Sequence, residues 1–163
     1  MGARMTGMDI GQLKHLVVAP TLEALTLSGT AAINLVTGTA LAESNAAYLI
    51  QQGGGPALGL WQMEPATHDD CWTNFLRYWP DANYTKAVTA MLGSDIPRVQ
   101  QLVSNLRYAC AMARLRYFRA PDPLPAPQDP LALSRYHKAW YNTALGAADA
   151  TVNAALFARA IAA

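Results

Sequence analysis

The chain has 163 residues, 52% of them hydrophobic and 14% charged, with 12 basic against 11 acidic side chains. That is enough for one substantial core and short for two, so a single domain over 1–163 that needs neither metal nor disulfide is expected, and disorder is excluded. A formal charge of +1 without a dense Lys/Arg run argues against nucleic acid as a partner, and no apolar run reaches the length of a bilayer span.

The opening stretch "MGARMTGMDIGQLKHLVV" has no extended apolar segment, so no signal peptide is expected. Asp9 is placed to cap a helix reaching about Val18, which Pro20 would interrupt, with a further turn or two over 21–27 before the break at "SGT". From 31 to 43, Ile33, Val36, Ala40 and Glu43 keep the spacing of one helical face. The segments "AAYLIQQ" and "ALGLWQM" flank Gly53, Gly54, Gly55 and Pro56, which predicts a short β-hairpin leaning on the helices.

Thr67, with Asp70 three residues later, reads as the capping start of a helix that carries Cys71, Trp72, Phe75, Leu76 and Trp79 to the Trp79/Pro80 boundary. Another helix is expected over 83–92. Beyond Pro97, Val99, Val103, Leu106, Cys110, Ala113 and Tyr117 form a broad apolar face, with Arg107 and Arg114 opposite. The five prolines of "PDPLPAPQDP", 121–130, predict a stiff extended connection, and helices over 131–142 and 147–161, separated at Gly146, complete the chain. Cys71 and Cys110 lack CxxC spacing and read as independent buried thiols. His15, His68 and His137 are too separated for a zinc site, and His68 reads as a surface residue at a helix start.

Glu43, one of three glutamates, is the leading chemical candidate. Apolar packing and the negative end of a helix both penalise a carboxylate, and a carboxyl that keeps its proton is what protonating a glycosidic oxygen requires. The competing reading is a side chain that frays outward into solvent at the helix end.

In order along the chain, Glu43-Ser44, Gly59-Leu60-Trp61-Gln62, Pro65-Ala66-Thr67 and the distal Tyr141-Asn142 with Gly146 resemble the lysozyme-like superfamily, specifically soluble lytic transglycosylases and related phage peptidoglycan-degrading enzymes. Trp61 stands where Met is commoner, "QQGGGPAL" replaces a Ser-x-x-Gly-Ala segment, and Gly146 is spaced more widely than usual. The resemblance implies a mainly α (α+β) lysozyme-like domain, with several helices and a small β-hairpin beside the cleft. It implies cleavage of the β-1,4 bond between N-acetylmuramic acid and N-acetylglucosamine by lytic transglycosylation, which uses no cofactor or metal. A hydrolytic muramidase and a non-catalytic peptidoglycan-binding or virion structural protein are the competing readings.

On that resemblance Glu43 is the catalytic acid, and Ser44, Trp61, Gln62, Tyr141 and Asn142 hold substrate. Gln62 offers an amide to an N-acetyl sugar or a water, or stabilises a turn. Tyr141 directs its hydroxyl to Glu43 or the sugar, or is a buried tyrosine bonded to a backbone carbonyl. Asn142 holds the acetamido group or caps a helix. Trp61 is the indole placed nearest saccharide, helical spacing having assigned Trp72, Trp79 and Trp140 to the core. Glu64 and Asp70, with Asp69, are the candidates for a second acid, which ordinary glycosidases require and a transglycosylase does not. Arg107, Arg114, Arg116 and Arg119 read as a solvated helix face, with the acidic stems of peptidoglycan as the alternative partner. The expected partners are glycan strands, with virion or lysis-system proteins besides. The setting implied is a phage virion, or a host cytoplasm before access to the wall.

Overall fold

The computed structural model describes residues 7–141 and 149–163, and every regular element among them is helical. Helix α1 (Ile10–Gln12) opens at Asp9, whose Oδ1 accepts the Gln12 N–H at 2.8 Å. It widens into π geometry over Leu13–Val18 and closes again as α2 (Ala19–Ala24). Pro20 therefore does not end the helix. A wider turn ahead of it relieves the clash between its ring and the preceding carbonyls, so the chain runs on to Thr26, where φ is 59°.

Helix α3 (Thr30–Ser44) is the centre of the molecule. Ala32, Leu35, Val36, Thr37, Thr39 and Ala40 are all fully buried, so its apolar character extends around the helix instead of forming a stripe. It ends at Asn45 and Ala46, with φ of 53° and 50°, and the Ala46 N–H returns to the Ala40 carbonyl at 3.1 Å. The short α4 (Pro65–Asn74), α5 (Asn83–Ala90) and α6 (Gln101–Ser104) lead to α7 (Leu106–Phe118), the second deeply buried helix. Helices α8 (Pro130–Trp140) and α9 (Ala150–Ala162) pack on each other and on α3. Gly38 makes the α3–α9 approach work, because a Cβ there would fall inside the Phe157 ring. The buried Lys14 ammonium binds the carbonyls of Ala160, Ile161 and Ala163 at 2.7, 3.1 and 3.0 Å, closing the last turn of α9 onto the first helix.

The expected β-hairpin is absent: among the described residues there is no strand, only the isolated antiparallel bridges Ile50–Leu58 and Leu58–Met63. The cause is local. Gly59 and Gln62 have φ of 77° and 47°, which folds "ALGLWQM" into a turn closed by the Leu58–Met63 pair of 3.0 Å hydrogen bonds. A Cβ at Gly59 would also collide with the Leu102 carbonyl, so glycine is required there on two counts. Among the described residues the fold is all-helical, with a loop where a hairpin was expected.

Other boundaries moved for identifiable reasons. Helix α4 starts at Pro65, with Glu64 rather than Thr67 preceding it, because proline is suited to the first helical position. It ends at Asn74, a 3-10 turn follows over Leu76–Tyr78, and Trp79 is 57% exposed instead of buried. The helix expected beyond Pro97 breaks at Asn105, whose side chain accepts the Tyr108 N–H at 3.1 Å and so starts α7 afresh. Arg114 is buried, donating to the Leu27 carbonyl at 2.9 Å, and does not belong to a solvated face. Cys71 and Cys110 are free buried thiols. The proline-rich connection is held by Asn34, which donates to the Pro127 carbonyl, and by Tyr136, which donates to that of Asp122.

Candidate functional site around Glu43

Glu43 occupies the last turn of α3, and its side chain is 13% exposed. It is not frayed outward. Its Oε1 lies 2.7 Å from Nε2 of His137, which α8 delivers from 94 residues away and which is 1% exposed. Among the described residues the other ring nitrogen of His137, Nδ1, is buried without a partner. An orphaned lone pair is tolerated better than an orphaned N–H, which places the ring hydrogen on Nε2 and makes His137 the donor to Glu43.

Aromatic rings surround this pair. The His137 ring lies 5.9 Å from that of Tyr141, inclined by 23°, and 5.7 Å from that of Phe157; Tyr117 is 5.2 Å from Tyr141. Burial pushes the Tyr141 phenol far up, Glu43 adds to that, and Arg116 opposes it from 4.6 Å over the ring. Tyr117 is likewise raised by burial, with a contribution from Glu43. Both phenols therefore keep their protons. Tyr117 donates to Thr39 at 2.7 Å, since Thr39 spends its own hydrogen on the Leu35 carbonyl. Tyr141 donates to the Trp61 carbonyl at 2.6 Å.

That last bond agrees with the second of the two readings of Tyr141, a buried tyrosine whose hydroxyl is bonded to a backbone carbonyl. It holds the 59–62 loop. Ser44, buried, holds the same loop by donating to the Leu60 carbonyl at 2.7 Å. Trp61, the indole expected nearest saccharide, is 1% exposed with its N–H bonded to the Val36 carbonyl at 2.9 Å, so in this structure its ring presents no open face. Gln62 follows directly, half-buried, and donates to the Gly59 carbonyl at 2.8 Å. Asn142 and Gly146 lie outside the described residues.

None of the candidate second acids reaches the Glu43 cluster through a hydrogen bond or ion pair shown among the described residues. Glu64 is exposed at the start of α4. Asp70 accepts from Asn74 at 2.6 Å and from Arg119 at 2.8 Å, and these two bonds hold its carboxyl below the usual range. Asp69 lies 2.9 Å from His68, which is not a surface residue but is buried, its Nε2 2.7 Å from the Tyr108 hydroxyl. Trp72 donates to that same hydroxyl, so it runs Trp72 to Tyr108 to His68 to Asp69 as one chain of donors.

Sequence reasoning missed His137 as a partner of Glu43 and Arg116 as a neighbour of Tyr141. A signal existed for the first, since His137 and Tyr141 are four residues apart and share a helix face. Among the described residues no cluster of metal-ligating side chains occurs, and no helix is long and apolar enough to cross a membrane. Compared with known protein families, curated proteins and solved structures, the chain matches none.

Proposed function

We propose that this protein cleaves the β-1,4 bond between N-acetylmuramic acid and N-acetylglucosamine in peptidoglycan, by lytic transglycosylation with Glu43 as the acid and base. The observation that carries this reading is the sheltered Glu43 carboxyl at the end of the central helix, bonded to the buried His137 and flanked in sequence by Ser44, which with Tyr141 holds the 59–62 loop. The motif order Glu43-Ser44, Gly59-Leu60-Trp61-Gln62 and Tyr141-Asn142 resembles that of lysozyme-like enzymes and supports the same chemistry.

Glu43 gives its proton to the glycosidic oxygen as the bond to C1 of the muramyl residue breaks. The carboxylate then takes the proton of the C6 hydroxyl, whose oxygen closes on C1 to form the 1,6-anhydro ring, and the acid is regenerated. His137 steadies Oε1 through both states. The substrate supplies the nucleophile, which suits a site where Asp69 and Asp70 are already engaged by His68 and Arg119.

The test is product analysis on purified sacculi in water enriched in heavy oxygen. Anhydro-muramyl ends without incorporated solvent oxygen are expected. Reducing ends carrying solvent oxygen would replace the transglycosylase by a hydrolase at the same carboxyl, and wall binding without any soluble product would leave a binding protein on this scaffold.

A further inference from the structure

An open concavity of about 310 Å³ is lined by Thr67, Asp70, Arg116, Arg119, Ala120 and Trp140, and it is linked to the Glu43 cluster through Tyr141, whose ring neighbours both Arg116 and His137. Its two cations are unequally engaged. Arg119 is bonded to Asp70 at 2.8 Å, whereas no carboxylate is paired with Arg116 among the described residues, and its guanidinium carbon stands 4.6 Å over Tyr141. The concavity thus carries two guanidinium groups against one carboxylate, with a half-buried indole and a threonine as its neutral lining. Guanidinium suits carboxylate recognition through two parallel hydrogen bonds, and stacking on a ring fixes its plane beforehand.

We propose that this concavity is a subsite for carboxylates of the peptide stem borne by the muramyl residue, with Arg116 as the principal contact and Arg119 as the second. The inference rests on the glycosidase reading of Glu43, and it adds a specificity for acidic stems that the cleavage chemistry does not require. Geometry supports the pairing of the two sites. The muramyl residue carries both the reacting C1 and the lactyl group from which the stem departs, so a stem anion belongs within a short reach of the catalytic carboxyl. Tyr141 is the side chain common to both, facing His137 of the Glu43 pair on its ring and Arg116 over it. Asp70 tunes the subsite by cancelling part of its positive charge.

The test compares kcat/KM on three glycan preparations: strands with native stems, strands whose stem carboxylates have been amidated chemically, and strands stripped of stems by a muramyl-alanine amidase, with the lactyl carboxylate that this hydrolysis uncovers amidated in turn. The readout is each variant's ratio of native-stem to stripped-strand rates, in which any general loss cancels. Arg116→Gln is expected to lower that ratio about two- to fivefold, and the amidated strands to behave as the stripped ones. Asp70→Asn is expected to raise it about two- to threefold by releasing Arg119, and both effects should shrink at high salt. A ratio unchanged in Arg116→Gln, or unchanged or lowered in Asp70→Asn, overturns the subsite while leaving the glycosidase reading intact. Asp70 is exposed and outside the core, so that second variant decides the matter even if Arg116→Gln does not fold. Failure of the wild-type protein to cleave any of the three strands overturns the glycosidase reading and the subsite with it.

Discussion

Replacing Glu43 by glutamine separates chemistry from structure, because the two effects differ by an amount the site itself sets. Gln has the same shape, and its amide oxygen can still accept the His137 N–H that reaches Oε1 at 2.7 Å. At the His137 bond, folding loses at most the charge assistance that an ionised Glu43 would give it, the difference between about 1.5–3 and about 0.5–1.5 kcal/mol, or roughly 1 kcal/mol, and nothing there while the carboxyl holds the proton that the first catalytic step requires. In a chain of this length that upper figure lowers the Tm by about 2–4 °C. What catalysis loses is a proton donor and acceptor, a factor of about 10²–10⁴. Muropeptide release from sacculi should therefore fall at least about 100-fold, while the far-ultraviolet circular dichroism is unchanged and the melting transition moves only slightly. Activity retained within about threefold of wild type would refute the acid role and leave Glu43 as an anchor for His137. The variant must pass the melting test for either result to count.

Tyr141→Phe removes the donor to the Trp61 carbonyl and leaves that oxygen unsatisfied in a buried loop, so a loss of about 1–3 kcal/mol is expected from urea titration; a change under about 0.5 kcal/mol would mean the loop is held without it. Gly38→Ala overpacks the α3–α9 contact and should cost about 1–3 kcal/mol, with at least half recovered when Phe157→Leu is added; a neutral single variant would contradict the close approach of the two helices. Burial holds the His68 imidazole below its ordinary value of 6.5, with Asp69 opposing and Arg98 assisting. The unfolded chain then binds more protons between the folded value and 6.5, so stability is complete above 6.5 and declines below it. The expected slope is at most about 1.4 kcal/mol per pH unit, and stability measured in urea across pH 5 to 7.5 should flatten in His68→Gln. A slope unaltered by that substitution would assign the acid sensitivity to another group.

The helical elements were legible wherever a local rule had no competitor. Asp9 caps the first helix, the 31–43 periodicity became α3, and the five prolines of 121–130 keep that connection free of helix until Pro130. Where two local signals competed, tertiary packing chose. "ALGLWQM" alternates well enough for a strand, yet Gly59 turns the chain at a φ of 77° where the Leu102 carbonyl packs too close for any Cβ, and the two would-be strands share the single bridge Ile50–Leu58. Arg114 and His68 looked solvated because charge and polarity are a poor guide to burial when a backbone carbonyl or a phenol waits in the interior.

For this protein, local order and residue type alone determined the helical segments, the small surface charge, the two unpaired thiols and the suspicion attached to Glu43. Only the tertiary structure decided that His137 meets Glu43, that Tyr141 and Ser44 tie down the 59–62 loop, and that Trp61 is a core residue. The reason is physical. Helical periodicity acts over a few residues along the chain, but the contacts that shape this site join α3 to α8 and to a loop between them in sequence, and such contacts exist only once the buried faces of α3, α7, α8 and α9 have packed.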